Sequence, residues 1–187
     1  MDIKADVSKE EDIKSIIQFT IDTYGQLDIL VNNAGIMYTV AIDDMTSEQI
    51  DNTFDLNIKG YMLSAKYAVP HMKSGASIIN IGSAGGMVAG HLSTAYGASK
   101  AAVIHFSRVL ARELAPKNIR VNSISPSTFV TEMMPTDSEY TKFCAEACPM
   151  GRVGQPEELG NVAAFLASNE SSYMTGTNLL VDGGSIS

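Results

Sequence analysis

Residues 76–100 read ASIINIGSAGGMVAGHLSTAYGASK, and this stretch decides the fold class. Its first part, 76–82, is a short apolar run, which predicts a strand that is buried on both faces. A glycine-rich turn around Ser83 follows, and Tyr96 lies at the start of a helix that is expected to end before Pro116. A buried strand followed by a turn and a long helix is typical of an α/β fold.

The same alternation extends along the rest of the chain. Further apolar runs rich in Ile, Leu or Val predict buried strands at 27–32, 119–124 and 178–181. Additional helices are predicted after capping boxes at 8–11 and 46–49, and from Pro156, a favoured first helical position. The sequence therefore predicts one domain over residues 1–187, with a doubly wound parallel sheet and helices on both faces.

One region departs from this pattern. Residues 127–150 show little periodicity and are long for a plain connection, which favours a lid or a binding loop. A disordered surface insertion is the alternative. If the region lines a substrate pocket, its walls are expected to include Met133, Met134 and Phe143.

Composition excludes several classes of function. The formal charge is −8 and the 13 Lys and Arg residues are scattered, which argues against nucleic-acid and anionic-membrane partners. The charged N-terminus argues against a signal peptide, and apolar runs are far shorter than the roughly 20 residues of a membrane span, so a cytoplasmic protein is expected. Cys144 and Cys148 lack the further ligands of a zinc site and are expected to be reduced thiols, with no bound metal.

Three polar residues near the predicted strand are candidates for chemistry. Tyr96 and Lys100 lie four residues apart, which places them on one face of a helix. A nearby cation lowers the pKa of a phenol and so makes it a better base. Ser83 lies in the turn at the carboxyl end of the strand, where open α/β sheets bind their ligands. Taken singly, the Tyr96–Lys100 pair is weak evidence for chemistry, since most such pairs are surface neighbours, and Ser83 is better interpreted as an ordinary loop serine.

Together with other motifs, they resemble the short-chain dehydrogenase/reductase family in order and spacing. Asn32-Asn33-Ala34-Gly35 follows one strand, Ser83 follows the next, and Tyr96 and Lys100 come after it. The resemblance extends over essentially all 187 residues. Its further matches are Asp6-Val7, Asn57 in FDLNIKG, the stretch IRVNSISP with Thr131 five residues after Pro126, and the tail from GRVGQPEEL to LLVDGG.

The resemblance implies an oxidoreductase that transfers a hydride between NAD or NADP and a carbonyl or secondary alcohol, such as a 3-oxoacyl, sugar or steroid compound. Tyr96 would be the general acid in reduction and the base in oxidation. Lys100 would lower the pKa of Tyr96 and hydrogen-bond the nicotinamide ribose. Ser83 would hold the substrate oxygen, and Asn57 would support a proton-relay water.

The resemblance also implies a cofactor site and a homo-oligomer, a tetramer or a dimer, formed through the two long helices and the C-terminal segment. Ser127 stands where the family has glycine, which is expected to add a side chain close to the nicotinamide. The residues assigned to the cofactor are Asp6, Val7, Asn33, Ala34, Gly35, Tyr96, Lys100, Pro126, Ser127, Phe129 and Thr131.

The family's opening βαβα segment, with its glycine-rich phosphate-binding turn, has no counterpart in the 187 residues. We therefore expect the chain alone to bind NAD(P) poorly and to expose a strand edge around 27–32. One alternative is a remnant that lost turnover and acts as a binding or scaffold protein. Another is a serine hydrolase that pairs Ser83 with a histidine, although Ile81 breaks the nucleophile-elbow pattern. The candidate histidines are His71, His91 and His105.

Overall fold

The protein is described by a computed structural model that covers residues 2–131 and 138–186. Its centre is a four-stranded sheet in the order β1-β2-β3-β4, and every neighbouring pair is parallel. The predicted α/β class and parallel sheet are thus confirmed. The strands are β1 at Ile29–Asn32, β2 at Ser77–Ile81, β3 at Arg120–Pro126 and β4 at Asn178–Val181.

Helices connect and cover these strands. A π-helical turn at Asp55–Lys59 joins the second and third helices into one long segment. The α-helices are α1 at Glu10–Tyr24, α2 at Ser47–Phe54, α3 at Gly60–Ala68, α4 at Thr94–Leu114, α5 at Glu139–Ala147 and α6 at Pro156–Ala167. Short 3₁₀ turns lie at Val69–His71, Ala84–Gly86, Ala115–Lys117 and Asn169–Ser171.

The predicted starts of α2 and α6 are confirmed. The first predicted helix is present as α1, but the capping box expected at its start is not. The capping box of α2 is present, with the Thr46 hydroxyl accepting the N–H of Gln49. At α1 the expected capping box is wrong, because the Ser8 hydroxyl donates instead to the Asp6 carboxylate at 2.7 Å. Lys9 occupies the cap position without a side-chain bond to the helix. The Ser8 hydroxyl is bonded to the Asp6 carboxylate, a charged acceptor two residues earlier, and does not cap the backbone N–H groups of the helix.

Side chains of β2 alternate between two apolar layers, as a doubly wound sheet requires. Ile78 is fully buried in a cluster with Leu110 and Leu114 of α4 and with residues of α1 and α3. Ile79, also fully buried, points the other way and packs with Leu166 of α6. Because successive strand residues face opposite sides, these two clusters show that helices cover both faces of the sheet.

The first strand lies at the edge of the sheet. In the described part of the chain β1 pairs with β2 alone, and Ile29 and Val31 are 45% and 46% exposed. The predicted open edge is therefore confirmed. Asn32 points inward, and its side-chain amide donates to the Asn80 side chain at 2.8 Å, which ties the end of β1 to β2.

The region expected to be a long loop contains a helix. Within 127–150, residues Glu139–Ala147 form α5, whose first turn is capped by the Ser138 hydroxyl. Phe143 lies on α5 and is 65% exposed. Met133 and Met134 lie outside the described residues. No helix in the described ranges is both long and apolar enough to cross a membrane.

Candidate active site

Ser83 and Tyr96 meet at the carboxyl edge of the sheet. Ser83 follows β2 with extended backbone, and its hydroxyl accepts the N–H of Gly85 at 3.1 Å. The turn at Ala84–Gly86 then reverses the chain, and Tyr96 enters the first turn of α4. Burial raises the pKa of the Tyr96 phenol, and its hydrogen bond with Ser83 opposes that shift. Both side chains lie against Gly85, where a Cβ would be 3.4 Å from the Ser83 hydroxyl oxygen and 3.6 Å from the Tyr96 ring.

Lys100 lies one helical turn beyond Tyr96 and is 3% exposed. Its Nζ donates to the backbone carbonyl of Ile81 at 2.8 Å and lies 5.8 Å from the Tyr96 ring centroid. Burial lowers the pKa of Lys100 from 10.5 to about 8, since a buried ammonium is poorly solvated. The role of Lys100 in lowering the pKa of Tyr96 stays a prediction; in the structure its ammonium is bonded to the carbonyl of Ile81.

Asn57 lies in the π-helical turn and is fully buried. Its Nδ2 donates to the carbonyl of Ile36 at 2.9 Å and to the hydroxyl of Ser99 at 3.0 Å, and its Oδ1 accepts the N–H of Ile36 at 2.8 Å. Ser99 in turn donates to the carbonyl of Tyr96 at 2.7 Å. Asn57 thus braces the segment after β1 against α4. Both amide hydrogens are engaged, which leaves one lone pair of Oδ1 for a further donor.

Tyr61 belongs to the same cluster, although the sequence analysis did not single it out. It is 1% exposed, and its hydroxyl lies 3.1 Å from the carbonyl of Ala34 and 3.4 Å from that of Ile81. The Nζ of Lys100 lies 5.5 Å from its ring centroid. Burial raises the pKa of Tyr61, so the phenol remains a protonated donor. Its position four residues after Asn57 places both on one helical face, which is the signal that could have found it.

The segment after β1 has the shape of a ligand cradle. Asn33 and Ala34 are exposed, and a Cβ added at Gly35 would lie 3.2 Å from Asn57 Oδ1 and 3.4 Å from Lys100 Nζ. Glycine therefore keeps this backbone open beside a buried ammonium that has two further N–H donors. Such a donor set fits the hydroxyls of a nucleotide ribose.

The Asp6-Val7 pair lies against the helix that carries Asn57. A Cβ at Gly60 would come within 2.6 Å of the Val7 carbonyl oxygen, so glycine permits this close approach. The Asp6 carboxylate is exposed and is bonded to Ser8 and, at 3.3 Å, to Lys9. Hydrogen bonds from Ser8 lower its pKa.

The residues after β3 line the other side of this edge. Ser127 donates its N–H to Val181 at 3.1 Å and its hydroxyl to the Asp182 carbonyl at 3.3 Å. The Ser127 side chain, which stands where the family has glycine, is therefore held against the end of β4. The Phe129 ring is buried over Gly154, where a Cβ would lie 2.4 Å from the ring. Pro126 ends β3, and Thr131 is exposed.

The geometry gives little support to a hydrolase or a metal site. His71, His91 and His105 are all exposed, whereas the Ser83 hydroxyl is engaged with Gly85 and Tyr96. Among residues 2–131 and 138–186, no group of three or more His, Cys, Asp or Glu could hold a metal ion. Both cysteines are free thiols, half-buried at 144 and buried at 148.

Comparisons with known proteins agree with this geometry. The family model described as enoyl-(acyl carrier protein) reductase matches residues 1–185. The chain is 39% identical over 183 residues to the 3-oxoacyl-(acyl-carrier-protein) reductase FabG of Thermotoga maritima, covering 95% of this chain and 74% of that protein. It is 37% identical over 186 residues to the NAD-dependent glycerol dehydrogenase of Listeria innocua, covering 97% and 73%.

Solved structures give the same result. A dehydrogenase/reductase from Sinorhizobium meliloti matches with a TM-score of 0.97 and 32% identity over 100% of this chain and 75% of that one. A short chain dehydrogenase from Burkholderia cenocepacia in complex with NADP matches with a TM-score of 0.96 and 31% identity, covering 99% and 76%. The chain belongs to the short-chain dehydrogenase/reductase family and spans about three quarters of the length of these relatives. The expected family and its NAD(P)-dependent oxidoreductase activity are confirmed.

Proposed function

We propose that this chain interconverts a ketone and a secondary alcohol, with Tyr96 as the group that transfers the proton. One observation carries this proposal: the Ser83 hydroxyl and the Tyr96 ring both lie against Gly85 at the ligand-binding edge of the sheet, 3.4 Å and 3.6 Å from a Cβ built there. NAD or NADP, when bound, accepts or supplies the hydride. The protein's task is to orient the substrate oxygen and to move its proton.

Ser83 and Tyr96 both donate to the substrate oxygen, on which negative charge develops when the hydride is transferred to the carbonyl carbon. Ser83 donates a hydrogen bond to this oxygen, and Tyr96 gives it a proton during reduction. During oxidation Tyr96 takes the proton back. Because burial raises its pKa, Tyr96 is protonated at neutral pH, which is the state that reduction requires. The Gly85 N–H holds the Ser83 hydroxyl in place.

The residues around this pair hold the cofactor and the proton path. Lys100 offers its two remaining N–H donors to ribose hydroxyls, beside the open backbone of Gly35. Asn57 braces that backbone and offers Oδ1 to a relay water. The other proposed cofactor contacts are Asp6 and Val7 on the adenine side, Asn33 and Ala34 near the ribose, and Pro126, Ser127, Phe129 and Thr131 near the nicotinamide.

We also propose that residues 1–187 act as one Rossmann-type domain in a cytoplasmic homo-oligomer, a tetramer or a dimer. All four strands belong to one sheet, which supports the single domain. Met62 on α3 and Val109 on α4 are apolar and 47% and 52% exposed, which supports an interface along the two long helices. Light scattering of the purified protein tests the assembly, and a monomer would contradict it.

The experiment for the activity combines cofactor titration with turnover. Calorimetry with NADH and with NADPH measures binding, and the absorbance of the reduced cofactor measures turnover with a panel of ketones. We expect weak binding of at least one cofactor and, at cofactor concentrations high enough to occupy the site, its oxidation by a ketone. Binding without turnover by any substrate would favour the scaffold alternative, and the absence of both would contradict the proposed function for this chain.

A further inference from the structure

A single buried hydroxyl links two of the residues proposed to act in proton transfer. Ser99 stands between Tyr96 and Lys100 in the sequence of α4 and is fully buried. Its Oγ accepts a hydrogen bond from Asn57 Nδ2 at 3.0 Å and donates one to the carbonyl of Tyr96 at 2.7 Å. Ser99 therefore joins the π-helical turn to the first turn of α4.

The direction of these two hydrogen bonds is fixed by what a hydroxyl can offer. Ser99 has one hydroxyl hydrogen, and because the Tyr96 carbonyl takes it, the Ser99 oxygen can only accept from Asn57. The amide group that faces Ser99 must then be Nδ2, since the amide oxygen would meet a second acceptor. Ser99 thus favours one of the two orientations of the Asn57 amide.

Ile36 favours the same orientation from the other side. Its carbonyl accepts from Asn57 Nδ2 at 2.9 Å, and its N–H donates to Asn57 Oδ1 at 2.8 Å. Ile36 lies in the irregular segment after β1, whereas Ser99 lies on a long helix. The bond to Ser99 therefore connects the paired Ile36 and Asn57 to the helix that carries Tyr96.

The Asn57 oxygen faces the place proposed for the ribose and the relay water. A Cβ built at Gly35 would be 3.2 Å from Asn57 Oδ1 and 3.4 Å from Lys100 Nζ, so both atoms lie beside the same point. One water or hydroxyl can bridge an acceptor and a donor placed in this way. A reversed amide would put N–H groups beside the ammonium, and two donors cannot share such a bridge in the same direction.

We infer that Ser99 is a positioning residue for proton transfer: it keeps the Asn57 oxygen beside Lys100 and ties that amide to the backbone of Tyr96. The inference rests on the proposed function, in which Tyr96 transfers the proton. Because the hydrogen of Ser99 is already donated to the Tyr96 carbonyl, Ser99 acts through Asn57 and not on the substrate.

Ser99→Ala and Ser107→Ala test this inference as a matched pair. Ser107 lies further along α4 and is also fully buried. Its hydroxyl likewise donates to a backbone carbonyl, that of Val103 at 2.8 Å, and accepts from a buried amide, Asn80 Nδ2 at 2.9 Å. Since each change removes one buried hydroxyl from the same helix, both should lower the free energy of unfolding in urea by similar amounts.

The kinetics of the two variants should differ. Ser99→Ala should lower kcat about tenfold, as the loss of one hydrogen bond to a buried group does, and change the KM for NAD(P) by less than about twofold. The solvent isotope effect on kcat should rise, because proton transfer becomes slower relative to the other steps. Ser107→Ala should change none of these quantities. An unchanged kcat in Ser99→Ala, or an equal loss in both variants, would overturn the inference.

The hold of Ser99 on Asn57 can be measured without turnover. In isotope-labelled protein the Asn57 side-chain amide gives an NMR signal that is assigned from its own backbone resonances. Its hydrogens should exchange with solvent at least about tenfold faster in Ser99→Ala than in Ser107→Ala, since one Nδ2–H has lost its acceptor. Equal exchange in the two variants contradicts the inferred role. If no ketone is turned over with either cofactor, the proposed function fails, and this measurement still decides whether Ser99 positions Asn57.

Discussion

The Lys100 ammonium and the Tyr61 phenol converge on one backbone oxygen, the carbonyl of Ile81, at 2.8 Å and 3.4 Å. The same ammonium lies 5.5 Å from the Tyr61 ring centroid, within the range of a cation–π contact. Tyr61 also reaches the carbonyl of Ala34, at 3.1 Å. It therefore joins the end of β1 to the end of β2 and supports the buried cation between them.

Replacing Tyr61 should change the ionisation of Lys100. Tyr61→Leu removes the ring, so the pKa of Lys100 should fall below its value of about 8. The expected shift is about 0.4 to 1.5 pH units, which corresponds to a cation–π contact of about 0.5–2 kcal/mol. NMR titration of isotope-labelled lysine side chains measures it. Tyr61→Phe keeps the ring and serves as the control, and an equal shift in both variants would assign the effect to the hydroxyl instead.

Tyr96→Phe should abolish oxidation and reduction while leaving the fold intact. The change removes only the phenol oxygen and its proton from a partly buried ring. General acid–base steps contribute about 100-fold to 10,000-fold, so the loss in kcat should be at least of this size. Stopped-flow assays and circular dichroism of the two proteins test both parts. Turnover close to that of the unchanged protein would falsify the assigned role of Tyr96.

Lys100→Met should lose both rate and cofactor affinity, because one ammonium is assigned to the ribose and to the surroundings of Tyr96. Measuring kcat together with the KM for NAD(P) separates this from an indirect effect on one step. Lys142→Met, on the exposed side of α5, is the matched control and should change neither parameter. If Lys100→Met left kcat and the KM for NAD(P) unchanged, Lys100 would have a structural role only.

The same variant should be more stable than the unchanged protein at neutral pH. The pKa of Lys100 is lowered from 10.5 to about 8, so the folded chain gives up its proton before the unfolded chain does. Below pH 8 the full cost of burying the charge is present, and between about 8 and 10.5 stability rises with pH as this cost disappears. After allowing for the lost bond to Ile81, we expect a gain of about 2 kcal/mol at pH 7. Urea unfolding at pH 7 and pH 10 should show this gain shrinking at the higher pH.

The sequence was sufficient to predict the sheet and most helices, since each depends on local pattern. The run at 76–82 is apolar on both faces, and both faces of β2 are in fact covered. The capping box at 8–11 was mispredicted because Ser8 had a stronger acceptor in Asp6. Helix α5 was missed because its sequence, EYTKFCAEA, mixes charged and apolar residues without a strong stripe.

The sequence predicts contacts in the candidate site only where both contacting residues belong to one local motif. Tyr96 and Lys100 are one helical turn apart, so their spacing alone places them together. The spacing of Tyr61 from Asn57 places it on the same helical face, but its contacts are with backbone carbonyls 20 and 27 residues away in the chain, which depend on the folded structure. The direction of the Tyr96 pKa shift likewise depends on burial, which spacing does not report.

Gly86 provides a test of how closely the turn after Ser83 must approach α4. A Cβ at Gly86 would lie 2.7 Å from the backbone N of Ala101 and 2.7 Å from the carbonyl carbon of Lys100, and neither atom can move without shifting the helix. We expect Gly86→Ala to destabilise the protein by about 1–3 kcal/mol, as overpacking does, and to lower kcat by displacing Lys100.

Gly160→Ala in α6 is the control: no atom lies within 4 Å of its added Cβ. The free energy of unfolding of Gly160→Ala should rise by about 0.5–1 kcal/mol, because alanine is a better helix former than glycine. Urea unfolding of the two variants should therefore give changes of opposite sign, and a stable, fully active Gly86→Ala protein would show that the turn and the helix are not in close contact.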